Sequence, residues 1–267
     1  MNAQDLYRSG DLTGAIANLN DTVRSKPTEV TTRSFLAELL CVAGNLERAD
    51  SQLETIEKID SKVGPALGLI RQLVRAEKSR QEVFTAGRAP EFLGNPPAHV
   101  EGRLRALVAF RAGDLGATGQ ELGAAEEARP SVAGTCDGNR FDDFRDLDDL
   151  FGGFLEVLTS TGKYMWVPTE RVVSVEFDAP EQPLDLLWRP ARMEVRDGPE
   201  GKVFLPTIYP GGGDAADDAS RLGRRTDWIE VGAGDAVRGV GLRTFIVGDE
   251  ARTILEIEKL EFDQVGA

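Results

Sequence analysis

Few of the 267 residues are of types that do chemistry. There is one histidine, His99. A Ser-His or Cys-His pair would need it as the base, but no Gly-x-Ser-x-Gly precedes it. Neither Cys41 nor Cys136 has a motif around it. A zinc site takes about four nitrogen or sulfur ligands, and these three residues are widely scattered. Gly211-Gly212-Gly213 resembles a phosphate cradle but lacks the Gly-Lys-Ser/Thr ending, and Asp214, Asp217 and Asp218 would repel phosphate. Gly239-Val240-Gly241 is half of a dinucleotide fingerprint, placed before a strand-like segment instead of a helix. The pair Asp217/Asp218 could hold a divalent cation or be plain solvated acids. The expectation is no catalytic residue, no metal ligand and no cofactor.

Two further groups remain. Asp142, Asp143, Asp146, Asp148 and Asp149 are interrupted by apolar residues and lack the central glycine of a calcium loop. Phe141, Phe144, Leu147, Leu150, Phe151 and Phe154 fall at helical spacing, which predicts a helix with a solvated acidic face. The tryptophans Trp166, Trp188 and Trp228 all lie in the second half, two of them beside charges, as in Trp188-Arg189-Pro190 and Thr226-Asp227-Trp228. They read either as anchors at an interface or as core rings with structural ion pairs, such as Asp227 with a nearby arginine. As partner-binding candidates we take Trp188, Arg189, Arg192, Arg224 and Trp228.

The elements that carry these residues divide the chain. Gly10-Asp11-Leu12 recurs as Gly44-Asn45-Leu46, and Ala15 and Leu19 recur as Ala49 and Leu53, all offset by 34. Gly113-Asp114-Leu115 repeats the turn, with Leu122 and Pro130 standing where Leu19 and Pro27 stand. That period belongs to tetratricopeptide repeats, pairs of antiparallel helices joined by a tight turn. The third turn follows 69 residues after the second, so the array is degenerate. Between them, residues 67–84 read as a helix with Leu69, Leu73, Ala76 and Arg80 on one stripe, and residues 89–99 as a loop. Such arrays present a concave surface to a peptide or helix.

The second half reads as antiparallel strands. Residues 155–159 and 163–167 form a hairpin around Ser160-Thr161-Gly162, and Val172–Phe177 alternates. A second hairpin joins 191–196 to 201–205, and 241–247 pairs with 254–262. Pro210–Asp218 is a mobile loop by composition. The expected fold is α+β: a tetratricopeptide-like domain over residues 1–133, then a mainly antiparallel domain over 140–267 with a leading helix.

The net charge is −14, of which residues 136–267 carry −12. That distribution repels a phosphate backbone and argues against nucleic acid or an anionic membrane as partner. It suits either solubility alone or a basic protein partner. No apolar run approaches the roughly 18 residues needed to span a membrane, and Met1–Gly10 carries Asp5 and Arg8 without an apolar segment. With two cysteines and no Cys-x-x-Cys, a reducing cytoplasm is expected.

Several strings resemble those of the ImpE/TagJ family. They are Gly162-Lys-Tyr-Met-Trp166-Val-Pro168-x-x-Arg171, Asp185-Leu-Leu-Trp188-Arg189-Pro190-Ala191-Arg192, Val203-Phe-Leu-Pro206 with Tyr209-Pro210, Arg221-Leu-Gly223-Arg224-x-Thr226-Asp227-Trp228, and Gly239-x-Gly241-x-Arg243-Thr-Phe-Ile-Val-Gly248-Asp249-Glu250. Met165 stands where the family often has a second aromatic. The resemblance covers nearly the whole chain. It implies a non-enzymatic, cytoplasmic accessory protein of type VI secretion in Gram-negative bacteria. Its implied partner is the small subunit of the contractile sheath, bound through that subunit's N-terminal helical segment. Sheath assembly, or disassembly by the ClpV ATPase, would be influenced indirectly. The alternatives are an enzyme of unrecognised type using Asp and Arg residues of the second half, or a structural oligomerisation module.

Overall fold

The computed structural model describes residues 1–210, 217–231 and 236–264. Seven helices come first: α1 (Ala3–Ser9), α2 (Leu12–Ser25), α3 (Val30–Val42), α4 (Leu46–Ile59), α5 (Gly64–Thr85), α6 (Ala98–Arg111) and α7 (Leu115–Glu127). The recurring Gly-Asp/Asn-Leu string does the same work three times. Gly10, Gly44 and Gly113 take φ values of +95°, +75° and +77°, the left-handed geometry that ends one helix. The next side chain caps the following helix: Asp11, Asn45 and Asp114 accept from the backbone N–H of Gly14, Arg48 and Ala117. Leu12 and Leu46 are then buried, as are Ala15, Ala49, Leu19, Leu53 and Leu122. Leu115 is exposed, so the third unit keeps the turn without its apolar anchor. Within α5, Leu73, Ala76 and Arg80 share the buried stripe, whereas Leu69 faces out.

Thirteen strands follow among the described residues. They are β1 (Gly134–Cys136), β2 (Asn139–Phe141), β3 (Phe144–Asp146), β4 (Phe154–Thr159), β5 (Tyr164–Pro168), β6 (Val172–Phe177), β7 (Trp188–Val195), β8 (Glu200–Pro206), β9 (Thr226–Glu230), β10 (Val237–Gly241), β11 (Thr244–Val247), β12 (Glu250–Thr253) and β13 (Lys259–Phe262), with a short helix α8 (Asp218–Arg221) before β9. Eight form one antiparallel sheet in the order β2-β1-β13-β6-β7-β8-β4-β5; β12-β11-β3 and β10-β9 form two smaller sheets. The architecture is α+β, helices first and antiparallel sheet after. Among the described residues no helix is long and apolar enough to cross a membrane.

Strands β4 and β5 are buried on both faces, and alternation assigns each side chain to a side. Phe154, Leu158, Tyr164 and Trp166 join the apolar cluster that includes Leu73, Val83 and Phe84 of α5. Leu155, Val157, Met165 and Val167 point the other way, into a cluster with Val175, Met193 and Leu260. Helix α5 therefore lies directly against the sheet.

Three expectations need correction. No helix leads the second half: residues 141–151 hold the end of β2, all of β3 and a run of turns. The periodicity is produced by tight turns instead, in which Asp148 N–H bonds to Asp146 Oδ1 and Leu150 N–H to Asp148 Oδ1, each at 2.9 Å. Asp146 and Asp148 are buried, not solvated. Second, within 241–247 only Thr244–Val247 form a strand with β12, Gly241 ending β10 instead, while β13 enters the main sheet between β1 and β6, because Gly248 at φ +59° turns β11 straight back. Third, His99 belongs to the first turn of α6 instead of a loop. Of the expected mobile loop, residues 211–216 lie outside the described residues, and Asp217 caps α8.

Candidate functional site

Where α5 meets the sheet, charged side chains are buried together. Arg80 of α5 donates to both carboxylate oxygens of Glu156 on β4, at 2.7 and 2.9 Å. Arg243 reaches Glu156 from the other side and also holds Asp146 at 2.9 Å. Tyr209 donates to Asp146 at 2.6 Å. Glu77, one turn before Arg80, accepts from Arg80 at 3.1 Å and from the Trp188 indole at 3.1 Å. Trp166 donates to the Tyr164 hydroxyl at 2.6 Å, and Tyr164 in turn to Glu156. Beside this lies a second pair, Asp148 with Arg238 at 2.8 Å.

Burial pushes Asp146 up to about 7 even with the Arg243 guanidinium beside it. Burial likewise raises Glu77 against Arg80, and Asp148 against Arg238. Glu156 goes the other way: burial would raise it, but Arg80 and Arg243 together hold its carboxyl below the ordinary value. A buried charge is tolerable only when paired and hydrogen-bonded, and each of these is. The carboxylates are thus committed to arginines and tyrosines of the same chain. Among the described residues no group of three His, Cys, Asp or Glu side chains is placed to hold a metal ion.

Above this floor opens a cleft of about 340 Å³ between α3 and α5 on one side and β10, α8 and residues 208–210 on the other, with apolar walls from Val42, Phe84, Leu187, Ile208 and Val240. Among its polar lining groups, Glu77, Arg80 and Tyr209 are partnered as above, Gln81 donates to Gly44 O at 3.2 Å, and Thr85 donates to Gln81 O at 2.8 Å. An occupant gains there by burying apolar surface.

The five partner-binding candidates do not lie together. Trp188 and Arg189 are inside the protein, 1% and 3% exposed, and present no surface to a partner. Arg189 donates to the backbone oxygens of Ile254 and Ile257 and lies over the Phe177 ring, so it ties β7 to the chain leading into β13. Arg192 is exposed and paired with Glu200 across the β7–β8 hairpin. Arg224 donates to Tyr7 O and Arg8 O, fastening the end of α1 to the second half. Trp228 stays 41% exposed, edge-on to Tyr209.

The residues of the recurring strings are mostly architectural. Trp166 stacks on Phe154 at 4.0 Å, Pro168 ends β5 opposite Phe154, and Arg171 donates to Leu93 O. Pro190 faces Phe204. Gly223 (φ +65°), in the turn after α8, and Gly241 (φ +97°), at the end of β10, take left-handed backbone where a side chain would meet Ile208 or the Arg225 carbonyl. Thr226 Oγ1 bonds Leu242 O at 2.7 Å, and Asp227 pairs with Arg225 at 2.6 Å. Asp249, beside Gly248, is exposed in the β11–β12 turn. Sequence reasoning missed Glu77, Glu156 and Arg238. A signal existed for two members of the cluster: Arg80 occupies an apolar helix stripe, and Glu156 alternates with Phe154 and Leu158 on a strand.

The family described as ImpE protein matches residues 138–261. The type VI secretion system accessory component TagJ of Pseudomonas aeruginosa is 32% identical over 267 residues, covering 100% of this chain and 93% of that protein. The crystal structure of protein VPA1032 from Vibrio parahaemolyticus is similar throughout, with a TM-score of 0.92 at 27% identity over 98% of this chain and 97% of the other.

Proposed function

Since this chain belongs to the ImpE/TagJ family of type VI secretion accessory proteins, we propose that it is a cytoplasmic, non-enzymatic adaptor that receives the N-terminal helical segment of the small contractile-sheath subunit. By holding that segment it influences sheath assembly, or its disassembly by ClpV. The observation that supports this reading best is the cleft beside α5. Its walls are apolar, and the charged groups Glu77 and Arg80 on its floor are already held by internal hydrogen bonds. A surface of that kind suits apolar side chains at i, i+3, i+4 and i+7 of an amphipathic helix. It offers little to a reaction, because Glu77, the carboxylate in its lining, is already held by Arg80 and the Trp188 indole. The helical half, residues 1–133, supplies one wall and the sheet half, residues 140–267, the other.

Calorimetry with the purified chain and a peptide of the sheath subunit's N-terminal segment tests the reading. One-to-one binding in the micromolar range or tighter, about −8 kcal/mol or better, is expected. Thr85→Trp, an exposed lining position, should plug the cleft and weaken that binding roughly tenfold or more while leaving the unfolding midpoint in place. Equal affinity in the plugged variant would move the site elsewhere, and absence of binding would remove the adaptor mechanism.

A further inference from the structure

Strand β9 pairs with β10 alone, Trp228 standing opposite Gly239. Its outer edge is open among the described residues. The bonds that close this ladder join Leu242 N–H to Arg225 O and Val231 N–H to Ala236 O. Antiparallel pairing alternates, so the backbone N–H and C=O groups of Thr226, Trp228 and Glu230 point away from β10, toward the free edge. A free edge is a template for another strand unless it is blunted. Elsewhere the blunting is visible: Glu91 bridges the edge of β5, β2 is three residues long and carries Arg140, and β12 carries Glu250 and Arg252. β9 instead exposes Trp228 at 41% and Ile229 at 45%, one on each face.

We propose that β9 is a docking edge that accepts an extended, apolar and basic segment of a partner polypeptide as an added strand. The apolar positions follow from Trp228 and Ile229. The basic one follows from charge. Asp227 is neutralised by Arg225, whereas Glu230 is exposed without an ion pair among the described residues, in a chain of net charge −14. A second copy of this chain fits worse, because pairing β9 with itself gathers two Glu230 carboxylates without ion pairs in one ribbon. The edge is separate from the cleft and does not depend on the adaptor reading.

Amide hydrogen exchange read residue by residue tests this. The probe is the peptide acetyl-Ser-Lys-Val-Val-Lys-Thr-Ser-amide, with a control N-methylated at alternate amides, which keeps the charges and removes the edge bonds. In the free protein the Trp228 and Glu230 amides should exchange fast and that of Ile229 slowly. Saturating peptide should slow Trp228 and Glu230 about tenfold or more and leave Ile229 unchanged. The N-methylated peptide should do nothing, and Glu230→Lys should weaken binding of the first. The proposal fails if Trp228 is already as protected as Ile229 without peptide. Protection independent of protein concentration would mean that the chain covers its own edge, and protection that grows with concentration would mean a second copy does. It fails equally if neither peptide slows Trp228, or if both do, the latter being adhesion by charge.

Discussion

Arg80 and Glu156 lie 76 positions apart in sequence and meet in a two-point ion pair with 5% and 0% of their side chains exposed. The pair joins α5 to β4 across the wall of the cleft, and Arg243 shares its carboxylate. Glu156→Ala therefore takes from two buried guanidinium groups the carboxylate they share, leaving Arg80 with Glu77 and Arg243 with Asp146. Loss of one partner of a buried pair costs about 3–5 kcal/mol, so the urea midpoint should fall sharply. Glu54→Ala, which removes an exposed i,i+4 pair with Lys58, should scarcely move it.

Asp146 titrates at a higher pH in the folded protein, about 7, than its ordinary value of 3.8. Folding takes up a proton between those values. The group thus favours the fold at acid pH, and its contribution is lost as pH rises through 7. In Asp146→Asn that dependence is gone. The stability gap between the natural chain and the variant should narrow from pH 4 to pH 7 and stay level above pH 8, as urea titrations at each pH would show. A gap that fails to narrow between pH 5 and pH 7 would mean that Arg243 keeps this carboxylate ionised throughout.

Gly239 is needed for close approach, since a Cβ there would overlap the Tyr209 ring. Tyr209 cannot yield easily. Its hydroxyl donates to Asp146 and accepts from Thr244 N–H at 3.0 Å. Gly239→Ala should destabilise the fold by about 1–3 kcal/mol, the usual cost of overpacking. Gly201→Ala, with open space around its Cα, should be close to neutral.

Both cysteines are buried, Cys41 at 3% and Cys136 at 4% exposure. Burial pushes both thiols up, Cys136 to about 11 and Cys41 further. Since the thiolate is the reactive form, Ellman's reagent at pH 8 should find no thiol in the folded chain and both after unfolding in urea. Rapid titration of either one in the native state would contradict the burial.

The helical half was the more legible. The Gly-Asp/Asn-Leu turns recur at a fixed spacing, and each acts through neighbours within three residues, as the Asp11 bond to Gly14 N–H shows. Hairpins around Gly162 and Asp197-Gly198 were legible for the same reason. Residues 141–151 were not, because the partners that bury Asp146 and Asp148 are Arg243 and Arg238, 97 and 90 positions onward. Short strands and Asx turns there imitate the three-to-four spacing of a helix. The tryptophans could be placed beside arginines but not inside or outside. Trp188 was assigned inward by Glu77, 111 positions earlier, while Trp228 remained at an edge.

The buried quartet of Arg80, Glu156, Asp146 and Arg243 also constrains how this chain can change by descent. Each single replacement unbalances the charges left in the interior, although an all-apolar quartet of matching volume could be as stable or more so. The route between those two solutions runs through weakened intermediates. The ion quartet therefore acts as a ratchet: relatives should carry all four charges or have exchanged them as a set, and a natural variant at one position should be found with a compensating change at another.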